Sequence, residues 1–229
     1  MVDNNRVKQN MLWRGIEDYS LVARLKRLPA EHYDAGYWHG RTGPSGQDSD
    51  SGMYFGIGQA LADFILNRNA RVLDCGCGPG WLIRHLVSLG FKQVYGVDWS
   101  VYAKRLSPVA ERIQVATLDR LPYEDEEFDV VLSWQVLEHQ DECTIDTILK
   151  ELARVGNSKT LWVHSLPFEG TAGAVDDASH TLLRSKSWWL KRVLAVSGLV
   201  QSLEEEQHLA SLFGNAKCEL TGGMVLRRN

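Results

Sequence analysis

No apolar run in this 229-residue chain approaches the roughly 20 residues that a membrane-spanning helix needs. The opening, MVDNNRVKQN, is polar and lacks the apolar stretch of a secretory leader, so a cytoplasmic location with no membrane partner is expected. Cysteine is scarce: Cys75, Cys77, Cys143 and Cys218 are too few for a disulfide framework at this length and fit a reducing compartment. Basic blocks are missing too. Lys and Arg number 25 against 29 Asp and Glu, a net charge of -4, and the cations are scattered, which argues against a nucleic-acid partner. There is no internal repeat and no low-complexity tract. The length suits one domain with an appendage.

What is present falls into two stretches. Residues 6–28 place Val7, Met11, Leu12, Ile16, Leu21, Val22, Leu25 and Leu28 among charges at roughly helical spacing and end at Pro29, which predicts an amphipathic leading segment. The aromatic HYDAGYWHGRTG and the loop-forming PSGQDSDSG follow, then a second helix from Met53 to about Leu66. From Arg71 the pattern changes. RVLDC, QVYGVD, IQVAT, FDVVLSW and TLWVHSL read as apolar strands separated by helical stretches at 81–89, from about 100, and at 143–155. Five such strands with crossovers predict a parallel sheet covered on both faces. After a loop over 167–181, a helix over 187–198 leads to two expected closing strands, 200–204 and 218–227.

The segment VLDCGCGPGW, residues 72–81, packs three glycines and two cysteines between a strand and a helix. Cys75 and Cys77 are one residue apart with no second Cys or His pair at zinc spacing, so they are expected to be small buried fillers. Gly76, Gly78 and Gly80 lie where backbone must approach a ligand without a Cβ in the way. A dinucleotide fingerprint would need its third glycine at 81, where Trp81 stands, and Asp74 would repel a pyrophosphate. The loop therefore favours a nucleoside with a cationic tail. Asp98 closes the next strand, 24 residues after Asp74, where an acidic side chain accepts hydrogen bonds from a ribose diol. A competing capping role in the following helix suits Ser100 better.

Taken together, VLDCGCGPG, VYGVDWS and LPYEDEEFDVVLSWQVLEH resemble the class I S-adenosylmethionine-dependent methyltransferases, especially the small-molecule branch that includes quinone-biosynthesis enzymes. The resemblance covers residues 52–170 well. It implies an α/β fold: a Rossmann-like three-layer sandwich with a seven-stranded, mostly parallel sheet, helices on both faces and an N-terminal helical and aromatic cap. Residues 1–51 would be the cap and flexible loop, and 52–229 the methyltransferase domain. Carried onto this sequence, it places Asp74, Gly76, Gly78 and Gly80 around the methionine part of S-adenosylmethionine and Asp98 on the ribose. Trp99 and Leu118 would flank the adenine, with Trp134 and Gln135 near the methionine end. Relatives often carry an acidic residue for the adenine amino group six positions before the aromatic of LPY. Here Thr117 stands there, and either Asp119 or backbone groups would do that reading.

Methyl transfer from a sulfonium is an in-line displacement by an activated donor, so alignment supplies much of the rate and a base is needed only where the acceptor must lose a proton. His139 and His180 are the candidate catalytic bases; His164, inside a strand, reads as a core histidine. Asp176, Asp177 and His180 could be a divalent-metal cluster of the kind some catechol and sugar methyltransferases use, but such spacing is common by chance in polar loops and no metal is expected. Trp188 and Trp189 are expected to anchor a helix. Tyr33, Tyr37 and Trp38 suit either a lid over cofactor and acceptor or a simple pin to the core. The expected reaction is methyl transfer to a hydroxyl, or an amine, of a small molecule or glycan precursor. Two alternatives stay open: an RNA or protein methyltransferase, and a non-catalytic cofactor-binding sensor or partner subunit.

Overall fold

The computed structural model describes residues 32–33, 35–38, 53–171, 174, 177, 179–215 and 222–228. The leading segment 6–28, the loop 44–52, Asp176 and Cys218 lie outside them. Seven strands, β1 (Arg71–Cys75), β2 (Gln93–Asp98), β3 (Ile113–Val115), β4 (Phe128–Trp134), β5 (Gly156–Ser165), β6 (Leu199–Gln201) and β7 (Gly223–Arg228), form one sheet in the order β3-β2-β1-β4-β5-β7-β6. Strands β1 to β5 pair in parallel, and β7 runs antiparallel to β5 and β6. The helices are α1 (Ala35–Trp38), α2 (Met53–Ile65), α3 (Trp81–Ser88), α4 (Val101–Leu106), α5 (Ile145–Val155), α6 (Lys186–Ser197) and α7 (Leu203–Asn215). None of the described helices is long and apolar enough to cross a membrane.

The three layers follow from strand periodicity, because alternate side chains leave opposite faces of the sheet. Val72, Val130, Leu132, Val163 and Val225 pack on one face against Ile57 and Leu61 of α2, Leu82 and Leu86 of α3, and Leu209 and Phe213 of α7. Leu73, Val131 and Leu226 pack on the other against Ile148, Leu149 and Leu152 of α5 and Trp189 and Val193 of α6. In α5 the buried Ile145, Ile148, Leu149 and Leu152 recur at helical spacing, with Asp146 in the first turn and Arg154 in the last, where each suits the helix dipole. Trp189 is fully buried and Trp188 packs beside it, as an anchoring pair should.

The seven-stranded, mostly parallel expectation holds. The chain end differs in detail. The strand expected over 200–204 stops at Gln201, and Leu203 opens α7, a helix the sequence reading missed. Glu204, Glu205 and Glu206 sit in its first turn, where the dipole favours acidic groups. Leu209 and Phe213, four residues apart, are buried against the sheet, and that tertiary contact outweighs the local strand pattern. The last strand begins at Gly223, and β5 begins at Gly156, ahead of the TLWVHSL run.

Candidate active site

Parallel register brings the carboxyl ends of β1, β2 and β4 to one edge of the sheet: Cys75 lies beside Val97 on one side and Ser133 on the other. The glycine loop leaves β1 there, and the Gly76 and Cys77 amides donate to the Val97 carbonyl at 2.7 and 3.1 Å. Gly76 has φ 76°, and a Cβ on it would lie 2.5 Å from the methyls of Val136. Gly78 has φ 53°, and a Cβ there would lie 2.8 Å from the Trp38 indole. Only glycine meets both conditions.

Asp98 ties this edge together. Its Oδ2 accepts from the Gly78 amide and its Oδ1 from the Ser100 amide, each at 2.8 Å. Ser100 caps α4 as expected, accepting from the Ala103 amide at 3.0 Å, while its hydroxyl donates to the Tyr33 carbonyl at 2.7 Å. That bond pins the aromatic segment to the start of α4. Trp38 Nε1 then donates to the same carbonyl at 2.9 Å, and Tyr33, Tyr37 and Trp38 pack with Ala103, Trp99 and Tyr102.

A cleft of about 90 Å³ lies at this edge, at the carboxyl ends of the strands where open α/β sheets hold their ligands. Gly76, Asp98, Trp99, Leu118, Gln135 and His139 line it, and Tyr33, Tyr37 and Trp38 close it from the N-terminal side. Ala116, Thr117, Val136 and Gln140 complete the wall; of these, Val136 carried no signal in the sequence. Six expected residues are absent from the lining: Gly78, whose amide is held by Asp98, His180, which packs beside His139, and four more. Asp74 is buried within β1 behind the loop, and Gly80 faces Val109 and Ile113 at the start of α3. Trp134 follows Val130 and Leu132 onto the opposite face of the sheet, where its ring stacks on Phe213 at 5.1 Å. Asp119 is absent from the lining, and Ala116 and Thr117 occupy the place expected of it. Gln135 holds a left-handed backbone, φ 56°, fixed by its amide donating to the Ser165 carbonyl at 2.7 Å. Strain of this kind gathers at functional sites.

The charges behind the loop are uncompensated. Burial, and then the Asp98 carboxylate, pushes Asp74 up to about 7. Burial also raises Asp98, against hydrogen bonds from Ser100, Gly78 and Trp99 that lower it. Among the described residues no cationic side chain pairs with either. Cys75 is fully buried and Cys77 packs under Gly96; burial holds both thiols well above their usual range, so they act as fillers. His164 is likewise a core residue, its Nδ1 bonded to the Ser133 hydroxyl at 2.7 Å.

His139 lines the opposite wall, and residues distant in sequence gather around it. The His139 and His180 rings lie 4.8 Å apart, edge to face. His139 Nδ1 meets the Ser179 carbonyl at 3.1 Å and the Ser179 hydroxyl at 2.9 Å, and that hydroxyl donates to Asp177 Oδ1 at 2.6 Å. His180 Nδ1 meets the Ala174 carbonyl at 2.6 Å. Glu138 is fully buried between the two rings, and neither of its oxygens receives a well-formed hydrogen bond. Burial drives Glu138 up to about 8, only partly eased by its own amide and that of Val136. Burial and then His180 bring His139 down to about 4. Burial would raise Asp177, but the Ser179 hydrogen bonds and the two imidazoles hold it below its usual value. Sequence reading named His139 and His180 separately; nothing in it announced Ser179.

Residues 73–160 match the family profile described as Methyltransferase domain. Among curated proteins, the chain is 36% identical over 103 residues to the malonyl-[acyl-carrier protein] O-methyltransferase of Erwinia billingiae, covering 43% of this chain and 39% of that protein. It is 31% identical over 157 residues to the ubiquinone biosynthesis O-methyltransferase of Cereibacter sphaeroides, covering 61% of each. The chain thus spans between 39% and 61% of the length of these two relatives. Among solved structures, a chain from the complex of the Haloferax volcanii Trm112 methyltransferase activator superposes with TM-score 0.63 at 17% identity, over 85% of this chain and 95% of that one. The [4+2]-cyclase SpnF superposes with TM-score 0.55 at 18% identity, over 71% and 64%.

Proposed function

We propose that this chain, which carries a class I S-adenosylmethionine-dependent methyltransferase domain, transfers the methyl group to a hydroxyl, or second to an amine, of a small molecule or glycan precursor. In this reading residues 1–51 serve as a cap and 52–229 as the transfer domain. The observation that carries it is the junction of the Gly76–Gly80 loop and Asp98 with a cleft whose far wall presents the His139 imidazole, backed by the His180 ring at 4.8 Å.

The cofactor fits the charge pattern. A ligand with cationic sulfonium and ammonium groups offsets the two carboxylates that burial leaves without a cationic partner. Asp98 keeps a lone pair beyond those spent on backbone amides and, lining the cleft, would receive the ribose hydroxyls. Trp99 and Leu118 would flank the adenine, with Gln135 toward the methionine end. When bound, S-adenosylmethionine supplies a methyl group already activated for in-line displacement. The chain's task is then to exclude water, align the acceptor and receive a proton. Tyr33, Tyr37 and Trp38 form the roof that excludes water. His139 and His180 are the proton acceptors: each ring has its Nδ1 engaged by a carbonyl, which leaves Nε2 with its lone pair.

Oxygen is favoured as the acceptor atom because both named relatives are O-methyltransferases; a small molecule is favoured by the ubiquinone-biosynthesis relative and by a charge balance that argues against RNA. The SpnF likeness shows that this fold also serves a cyclase, so turnover itself must be measured. Incubating the protein with methyl-labelled S-adenosylmethionine and a cell extract, then separating solutes, lipids, glycans, protein and RNA, decides the matter. Label among small solutes or glycans is the expected result. Label in RNA or protein overturns the acceptor class, and bound cofactor with no label anywhere supports a sensor or partner subunit.

A further inference from the structure

We propose that Glu138, His139 and His180 form a binding site for a divalent ion of the zinc type, with its open position toward the cleft. Candidate ligand atoms of the three residues all lie within 4.8 Å of one another. Glu138 Oε1 stands 3.9 Å from His139 Nε2 and 3.9 Å from His180 Nε2. Tetrahedral zinc with bonds of about 2.0–2.2 Å separates its ligands by roughly 3.3 Å, so the two Glu138–imidazole pairs need to close by roughly 0.6 Å and the two imidazole nitrogens, within 4.8 Å of each other, by at most roughly 1.5 Å.

The tautomers settle what those atoms can do. A carbonyl oxygen only accepts, so His180 Nδ1, 2.6 Å from the Ala174 carbonyl, carries the proton. For His139 the same conclusion follows twice. The Ser179 carbonyl accepts from its Nδ1, and the Ser179 hydroxyl has already given its one proton to Asp177, so it too accepts from that nitrogen. Both Nε2 atoms therefore hold lone pairs, and both face the same carboxylate oxygen. Imidazoles that donate Nδ1–H to a backbone carbonyl and offer Nε2 inward have the outer-shell arrangement of metal-ligating histidines.

Glu138 is the second, independent observation. It is fully buried, and neither oxygen has a well-formed hydrogen bond, a costly state unless something binds there. One imidazole suffices to take a proton; two imidazoles turned onto a buried, unsatisfied carboxylate are more than that task needs. Two nitrogens and one oxygen are a set suited to zinc or neighbouring transition ions rather than magnesium or calcium. His139 lines the cleft, so an acceptor oxygen there would meet the ion; with both Nε2 lone pairs on the ion, its Lewis acidity would stand in place of the imidazole base, favouring the ionised acceptor whose proton passes to water. The site differs from the Asp176–Asp177–His180 cluster weighed from sequence: Asp177 Oδ2 stands 3.9 Å from His180 Nε2, but Asp177 is held in the Ser179 hydrogen bonds.

The test measures metal, not methyl transfer. Full-length protein is stripped with chelator, loaded with zinc or with cobalt(II), desalted and assayed for bound metal, with circular dichroism and cofactor affinity as controls for folding. The expected wild-type result is about one zinc per chain and a visible cobalt spectrum of low-coordinate type. Glu138→Gln and His180→Ala should each lower zinc affinity at least tenfold, and Ser179→Ala, which removes the hydroxyl between His139 and Asp177 but keeps the backbone carbonyl on His139 Nδ1, by about tenfold. Wild-type protein that retains no zinc and gives no cobalt spectrum overturns the proposal, as does zinc held equally well by folded Glu138→Gln. Because no step of this assay uses a methyl acceptor, a failed transfer reaction beside bound zinc would count against the proposed activity and not against the site.

Discussion

The two walls of the cleft are built by opposite means. On the cofactor side the parts are backbone amides, glycines and one carboxylate, and Asp98 meets the amides of Gly78 and Ser100 at 2.8 Å each. On the side proposed to face the acceptor, the parts are side chains from two segments some 40 residues apart, joined by hydrogen bonds such as His139 to Ser179, around a carboxylate left unsatisfied. The first wall is a local turn that any strand–loop–helix unit can make. The second exists only because the connection after β5 folds back over the segment after β4, where the Leu182 amide donates to the Glu138 carbonyl at 2.8 Å.

If the walls divide binding from chemistry, mutations should separate cleanly. The largest effect is expected on the acceptor side: the double variant His139→Ala/His180→Ala should lose about 10²- to 10⁴-fold in kcat while cofactor affinity, measured by calorimetry, stays within a factor of two or so. A parallel loss of cofactor affinity would erase the division. Next comes Gly76→Ala, whose left-handed backbone and 2.5 Å approach to Val136 predict a loss of about 2–6 kcal/mol in stability and about a hundredfold in cofactor affinity. Unchanged melting and binding would show that the loop tolerates a side chain. Asp98→Ala should weaken cofactor binding by about 1.5–3 kcal/mol, roughly 10- to 100-fold, with chemistry on bound substrate little altered; equal affinity for the deoxyribose analogue and the cofactor in wild-type protein would misplace the ribose.

The smallest expected effect concerns pH. Asp74 holds its proton in the folded, cofactor-free protein up to about 7 because of burial, whereas in the unfolded chain it ionises near 4. The folded state thus binds more protons in that window. Its contribution to stability is full below about 4 and is lost as pH rises through 7. Asp74→Asn has no such loss, so denaturant midpoints should show it gaining on the wild type by about 1–3 kcal/mol from pH 4 to 7.5. A constant difference across that range would mean that Asp74 ionises normally in the fold.

Much of the first wall was legible because its chemistry is local: strand, glycine loop and a second acidic strand end follow one another within VLDCGCGPG and VYGVDWS. Five apolar strands with crossovers also predicted the layers, and the period-two alternation along each strand explains an error. Trp134 was expected in the cleft, yet it shares a face with Val130 and Leu132 and stacks on Phe213. Carrying Trp134 over from the resemblance overlooked that parity. Helix α7 escaped for a related reason, since the value of burying Leu209 and Phe213 depends on a sheet face that no local window contains.

The sequence by itself determined the strand–helix alternation, the glycine loop, the acidic residue closing β2 and the cap at Ser100, because each depends on backbone preferences and contacts within a few residues. Only the tertiary structure decided that Glu138 would be sealed between His139 and His180, that both rings would turn their Nε2 atoms onto it, and that Ser179 would fix one of them. Those facts depend on how two distant segments cross at the edge of the sheet, and on the loss of water that the crossing imposes on a carboxylate.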